Sequence, residues 1–292
     1  MNLWSQTAQY AISGITSGSI YAILGICWST VYLISGVLNF TTGEFAMLGG
    51  MLTWVYIGAG MSLPAAVTMA MLSTTIIAIL IERLVIRSVR YPAPMTYMLI
   101  TIASASVIKG VVLLTCGSET RSIPPFLTLD PISMFGATFS PQVLVVIGAL
   151  FAVTLCLVLF FERTLFGKAL RASAINPLAA GLFGMKVSTF RMFCFGLAGA
   201  LGSMAGIAIA PIAFTGYSVG MMAGIKGLVV AIVGNFSLRG TVIGGLALGL
   251  LEGFAAGFIS SGWRDAIALF IMVVYLILRT VDFSRWTGKA RA

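Results

Sequence analysis

Histidine is absent from the 292 residues, and acidic side chains number only 8. The first absence removes the commonest metal ligand and the usual proton-relay side chain. The second leaves too few carboxylates for a clustered acid–base centre. The four cysteines, Cys27, Cys116, Cys156 and Cys194, stand singly in or beside apolar stretches, where a free thiol behaves as a small hydrophobe. No disulfide framework, metal site or redox pair is expected from them, and no cofactor is expected anywhere in the chain. Charged residues make up only 9% of the chain against 59% hydrophobic residues. A soluble domain carries about 25% charge on its surface, so this exterior must face lipid. Met1 to Gln9 lack the basic segment that opens a cleavable signal peptide, so none is expected. A G-x-x-x-x-G-K-[ST] phosphate loop is also missing, which excludes ATP binding in the Walker manner.

What is present is a series of apolar runs near 8–30, 36–58, 63–82, 95–116, 142–161, 188–212, 222–236, 240–260 and 264–281. About 20 apolar residues suffice for a membrane-spanning helix, and only helices or closed barrels satisfy their backbone in lipid. Runs this long predict helices rather than the alternating strands of a barrel. The fold class is therefore all-α: a polytopic membrane protein with about eight or nine transmembrane segments, forming one domain over residues 1–292. The 222–236 run is too short for a comfortable crossing and reads as a broken or re-entrant helix.

The net charge of +9 sits in short loops between these runs, which points to membrane topology and not to nucleic acid. Arg83, Arg87 and Arg90 follow the third run; Arg163, Lys168 and Arg171 follow the fifth; Arg279, Arg285, Lys289 and Arg291 close the chain. An even number of spans separates these clusters, so all fit one face, the cytoplasmic one by the positive-inside rule. The loop over 117–141 then lies outside, the C-terminus is cytoplasmic, and an odd span count places the N-terminus outside. Glycine-dense stretches around Gly14–Gly50 and Gly196–Gly249 hint at internal repeats.

Three constellations carry the functional expectations. The first is Asn39-Phe40-Thr41-Thr42-Gly43-Glu44-Phe45. A carboxylate inside an apolar run costs about 2.5–3.5 kcal/mol to insert, so Glu44 either lines a wet pathway at a helix break or sits at a helix start near the interface. The second spans 167–184, where Asn176-Pro177 forms a helix start and Gly184 a helix stop. A short helix here is either an interfacial helix or a docking element for another subunit. The third joins Gly224-Ile225-Lys226-Gly227, Gly234-Asn235-Phe236-Ser237-Leu238 and Glu252-Gly253. Lys226 and Glu252 are intramembrane ionisable groups: pathway residues, a structural ion pair, or in the case of Lys226 a snorkelling side chain.

In this order and spacing the three blocks resemble the permease subunits of the branched-chain amino-acid class of bacterial ABC importers. The resemblance runs from about Gly14 to Arg279. It rests on Asn39, Phe40, Gly43, Glu44 and Phe45; on Gly167, Arg171, Ala172, Asn176, Pro177, Ala180 and Gly184; and on Gly224, Lys226, Gly234, Gly240, Gly244, Gly249 and Glu252. The chain departs from the family where Ala-His is replaced by Thr41-Thr42, and where Gly-Gly-x-Gly-Ser reads Gly234-Asn235-Phe236-Ser237-Leu238. The resemblance implies a permease subunit that does not hydrolyse ATP. Its implied partners are a second permease (a paralogue or an identical copy), two cytoplasmic ATP-binding subunits and an extracytoplasmic solute-binding protein, in a bacterial inner membrane. It also implies an ATPase-coupling role for Arg171, Ala172, Asn176, Pro177, Ala180 and Gly184. A translocation role is implied for Asn39, Thr42, Gly43, Glu44, Lys226 and Glu252. The solute class stays open, since the wider family includes carriers of amides, urea and other carboxylates. A gradient-driven secondary transporter is the competing class, with Glu44 and Glu252 as its coupling groups. An intramembrane enzyme would need a polar catalytic cluster that the sequence does not supply.

Overall fold

In the computed structural model, residues 3–89, 93–134, 136–258, 260, 262 and 264–280 are described; Arg90, Arg285, Lys289 and Arg291 lie outside them. All nine apolar runs are helical. They become α1 (Leu3–Ser35), α2 (Thr42–Gly58), α3 (Leu63–Leu80), α4 (Pro94–Cys116), α5 (Gln142–Arg163), α8 (Val187–Ala213), α9 (Val219–Val233), α10 (Leu238–Phe258) and α11 (Arg264–Thr280). Two further helices, α6 (Leu165–Ile175) and α7 (Pro177–Leu182), fill the segment between α5 and α8. Six of these helices are long and apolar enough to cross a bilayer (α1, α3 with its continuation, α4, α5, α8 and α10), which makes this an all-α polytopic membrane protein. The short 222–236 run is the 15-residue α9, and α2 and α11 have 17 residues each.

Proline sets several of the starts. α4 and α7 begin on Pro94 and Pro177, and Pro64 opens α3. Proline loses nothing in the first turn, where its missing N–H would have had no partner. The end of α3 widens into a π-helical turn over Ile81–Ile86, with the Arg87 N–H bonded to the Glu82 carbonyl. The 117–141 segment, expected as loop, holds a small antiparallel hairpin, β1 (Ile132–Met134) and β2 (Ala137–Phe139). Gln9 extends it: its amide group donates to the Thr138 carbonyl at 2.9 Å and accepts from the Thr138 N–H at 3.0 Å.

α1 is the central mast. From Gly18 to Val31 every residue is buried, and α10, α9, α8 and α5 pack around it. α4 is the opposite case: Leu99, Val107, Val111 and Leu114 are exposed along most of its length, as a helix facing lipid or another chain requires. Contacts fix which ends lie together. The last turns of α1 meet Phe161, Arg171, Phe236 and Leu238 at one end of the bundle. Arg83, Arg87, Arg163, Lys168, Arg171, Lys186 and Arg191 belong to that same end, so it is the basic one. The hairpin, the first turns of α1 and the Arg121–Thr215 backbone bridge form the other end.

Helices inside lipid gain little from the hydrophobic effect and depend on close packing through small residues. α1 and α10 meet at such a seam. A Cβ at Gly18 would sit 2.7 Å from the Gly245 carbonyl oxygen, and one at Gly14 would sit 2.8 Å from the Gly249 oxygen. A Cβ at Gly249 would fall on the backbone of Gly14 and Gly18. Gly249→Leu is therefore expected to force α10 off the mast and abolish recovery of folded protein. Gly110→Leu, on the open face of α4 where nothing lies within 4 Å, should leave it unchanged. Monodispersity of the detergent-extracted variants checks this.

Candidate functional site

The chain breaks between α1 and α2. Ser35 ends α1 by donating to the Val31 carbonyl at 2.7 Å, and Gly36 turns out with φ +65°. The loop then re-enters the bundle: Phe40 packs edge-on against Trp28, two turns before the end of α1, with centroids 5.2 Å apart. Irregular backbone at that depth must find its partners within the protein. It does so through the polar string. Asn39 Oδ1 accepts from the Thr41 N–H at 3.2 Å and from the Thr41 hydroxyl at 2.6 Å, while the Thr42 hydroxyl donates to the Asn39 carbonyl at 2.8 Å. Thr101 on α4 bridges the other side, accepting from the Phe40 N–H at 3.3 Å. Asn39, Thr41 and Thr42 are fully buried. They hold the break itself. Thr41 and Thr42, the departure from the family pattern, are part of that hydrogen-bond set.

Gly43 brings α2 against α9, where a Cβ would sit 2.8 Å from the Gly224 Cα. Glu44 follows in the first turn of α2, 4% exposed. Its carboxylate occupies the space a side chain at position 220 would need, since a Cβ on Gly220 would lie 2.6 Å from Glu44 Oε2. That oxygen has no hydrogen-bond partner. Glu44 lines a cleft of about 240 Å3 between α2, α4 and α9, and Lys109 on α4 lines the same cleft. Lys109 went unremarked in the sequence reading, although it is the only cation in the 95–116 run. The same rule that singles out Glu44, that ionisable groups within apolar runs are functional candidates, would have found it.

Lys226 and Glu252, apart in sequence, are brought together. Lys226 Nζ lies 3.0 Å from Glu252 Oε1, and Tyr21 donates its hydroxyl to Glu252 Oε2 at 2.8 Å while accepting from Lys226 at 3.1 Å. Three helices, α1, α9 and α10, are thereby tied by one buried network. Glu252 is wholly buried, whereas Lys226 reaches the floor of a polar cavity of about 670 Å3 lined also by Gln9, Ser13, Thr16 and Tyr21. This cavity belongs to the end of the bundle that carries the hairpin, since Thr138 and Ser140 border it. Tyr21 had no charged neighbour in sequence to mark it. A second pair, Arg191 Nε to Glu82 Oε1 at 2.8 Å, closes the basic end between α3 and α8, with Glu82 fully buried.

The 167–184 segment forms a helix–helix corner at the basic end. Thr164 caps α6 by accepting from the Gly167 N–H at 3.0 Å, and Gly167 lets α6 fold back onto the Phe160–Phe161 backbone of α5. Arg171 lies over the Phe161 ring, 5.5 Å from its centroid, and Ala172 is exposed. Asn176 caps α7, accepting from the Ala179 N–H at 3.0 Å, with Pro177 in the first helical position as the sequence suggested. Gly184, at φ +79°, ends α7: the Met185 N–H bonds the Ala180 carbonyl and the Gly184 N–H bonds the Gly181 carbonyl, both at 3.0 Å. Ala180 is buried beneath this turn, while Leu165, Ile175, Leu178, Leu182 and Phe183 are each 84–90% exposed.

Removing one partner of a buried ion pair leaves the other uncompensated, at a cost of about 3–5 kcal/mol. Glu252→Ala is expected to destabilise the protein on that scale, and Glu252→Ala with Lys226→Met to recover much of the loss. Thermal melts of the purified variants measure both.

Residues 10–276 match the family model described as "Branched-chain amino acid transport system / permease component". The high-affinity branched-chain amino acid permease protein BraD of Pseudomonas aeruginosa is 27% identical over 286 residues, covering 93% of each chain. The corresponding LivH protein of Salmonella typhimurium is 26% identical, covering 92% of each. The autoinducer 2 import permease LsrC of Escherichia coli is 26% identical over 81% of this chain and 68% of its own. Among solved structures, PsaBC from Streptococcus pneumoniae, in complex with a Fab, superposes with a TM-score of 0.55 at 12% identity, covering 96% of this chain and 94% of that one, a likeness of fold alone. A match over most of the chain outweighs the gradient-driven alternative. The chain belongs to the branched-chain amino acid transport system permease family and is the membrane-spanning permease subunit of an ABC importer of that type, working with ATPase and solute-binding components.

Proposed function

We propose that this single-domain chain pairs with a second permease, identical or paralogous, to enclose a solute path, and that the α6–α7 corner is the surface on which two cytoplasmic ATPase subunits dock. The observation that carries this reading is the run of exposed apolar side chains from Leu165 to Phe183 at the basic end. A water-facing loop gains nothing by presenting five large hydrophobic side chains, and an apolar patch of that kind marks an interaction site. The capping by Asn176 and Pro177 and the stop at Gly184 make α7 a short rigid piece, suited to transmit a push. Arg171 on Phe161 and the buried Ala180 seat the α6–α7 corner against the bundle, with Ala172 exposed beside it. The basic end is cytoplasmic on this reading, as is the C-terminus, in a bacterial inner membrane. An extracytoplasmic binding protein delivers the solute at the hairpin end, and the relatives' names point to a branched-chain amino acid.

Within the path, Asn39, Thr42 and Gly43 keep the α1–α2 break open and packed, Glu44 offers a carboxylate to the cleft, and Glu252 holds Lys226 at the floor of the polar cavity. ATP-driven closure changes the path only if the docked helix sits differently in the two states.

Leu178→Asp with Leu182→Asp tests the docking surface. Buried apolar anchors at interfaces contribute about 2 kcal/mol or more each, so the pair is expected to lower ATPase recovery with the tagged permease at least tenfold. Yield and thermal melt of the permease should not change, because both side chains are free of the bundle. Undiminished ATPase recovery and uptake would contradict the assignment.

A further inference from the structure

Two charges in the Glu44 cleft lack the partners that buried charges need. Glu44 Oε2 is buried without a hydrogen bond. Lys109 has the Tyr217 ring 5.5 Å away, and among the described residues no carboxylate lies within 4 Å of its ammonium. Opposite charges that share a cleft and do not touch leave room for something between them. Around them the walls are apolar: Trp28, Phe40, Ile102, Met221 and Ile225. The Trp28 indole N–H is already committed to the Gly224 carbonyl at 3.0 Å, so that wall offers a ring face and no free donor. Position 220 is tight: a Cβ there would sit 2.9 Å from the Gly43 carbonyl oxygen and 2.6 Å from Glu44 Oε2.

The mouth of the cleft opens between α4 and α9, where Ile102, Ser106 and Met221 are exposed. A charged pair opening onto lipid would be costly, and intramembrane charges face a bundle interior or a water-filled cavity. On the pathway reading above, the mouth faces the shared path, with the second permease beyond it.

We infer that this cleft is a transient binding site for a zwitterion with an apolar side chain, its ammonium on Glu44 and its carboxylate on Lys109. The volume of about 240 Å3 is below the roughly 300–1,000 Å3 of drug-sized sites and fits a solute of amino-acid size. One anion and one cation on facing walls complement a zwitterion and disfavour a molecule carrying only one of its charges. A neutral amide would leave both charges unanswered. The inference rests on the pathway reading above and adds to it the two side chains that hold the solute's charged groups.

The test uses the assembled transporter with its ATPases and binding protein in proteoliposomes, with L-leucine as the probe. Glu44→Gln and Lys109→Met are each expected to lower ATP-driven leucine uptake at least tenfold, with subunit recovery unchanged. Ser106→Leu, which narrows the mouth without altering charge, should lower it too. The assembled complex without binding protein should be stabilised against heat by millimolar leucine, less by 4-methylpentanoate or isopentylamine, and the leucine effect should vanish in Glu44→Gln. Wild-type uptake in both charge variants would overturn the site while leaving the permease assignment intact, as would preferential uptake of a neutral amide such as acetamide. Failure of the wild-type chain to recover an ATPase would instead overturn the wider reading.

Discussion

Close approach of α1 and α10 through facing glycines is the contact on which the rest depends. In lipid there is little hydrophobic gain from joining two apolar helices, so association relies on backbone proximity and on hydrogen bonds between them. The Gly14–Gly18 face of α1 and the Gly245–Gly253 face of α10 supply the first. Tyr21, Lys226 and Glu252 supply the second, because only helices packed this tightly bring a phenol, an ammonium and a carboxylate within 3.2 Å of one another. With the mast so fixed, α9 and α2 are positioned against it, and the cleft that holds Glu44 follows from their placement.

The second organising constraint is the α1–α2 break. A continuous helix there would carry Glu44 to a different depth and leave α4 without its contact to Phe40. The break persists because Asn39, Thr41, Thr42 and Thr101 satisfy the loop from within. That arrangement exchanges a regular backbone for an opening in the bundle. Where the family pattern has Ala-His, this chain has two hydroxyl side chains, and both enter the hydrogen-bond set that holds the break. At the other departure, Asn235 and Phe236 adopt left-handed backbone at φ +53° and +52° where a glycine would be easier. Asn tolerates that region, and Phe236 recovers contact by stacking on Tyr32 with centroids 4.1 Å apart.

The span pattern was legible because lipid imposes length and hydropathy directly on sequence: each of the nine apolar runs became a helix, and the short α9 was visible as a short run. The caps of α7 were legible for the same local reason, as Asn, Pro and Gly act on their immediate neighbours. Partnerships across the bundle were not. Nothing near Tyr21 in sequence signals an ion pair whose members lie more than two hundred positions away, and the pairing of Lys226 with Glu252 was one of several open readings. Lys109 was legible in principle as the single charge of the 95–116 run, but a lone lysine belongs to no motif block. The hairpin in the 117–141 segment escaped because its two strands have three residues each, too few for a periodic pattern.

On the proposed reading the bundle is a passive gate whose movement is supplied at the α6–α7 corner by ATP hydrolysed elsewhere. The most direct measurement is solute uptake by the purified assembly in sealed proteoliposomes, with ATP supplied to the ATPase side and no ion gradient. The account predicts uptake that requires ATP and persists when protonophores and ionophores collapse every gradient. Uptake by this chain alone, driven by an imposed ion gradient and indifferent to ATP, would contradict it.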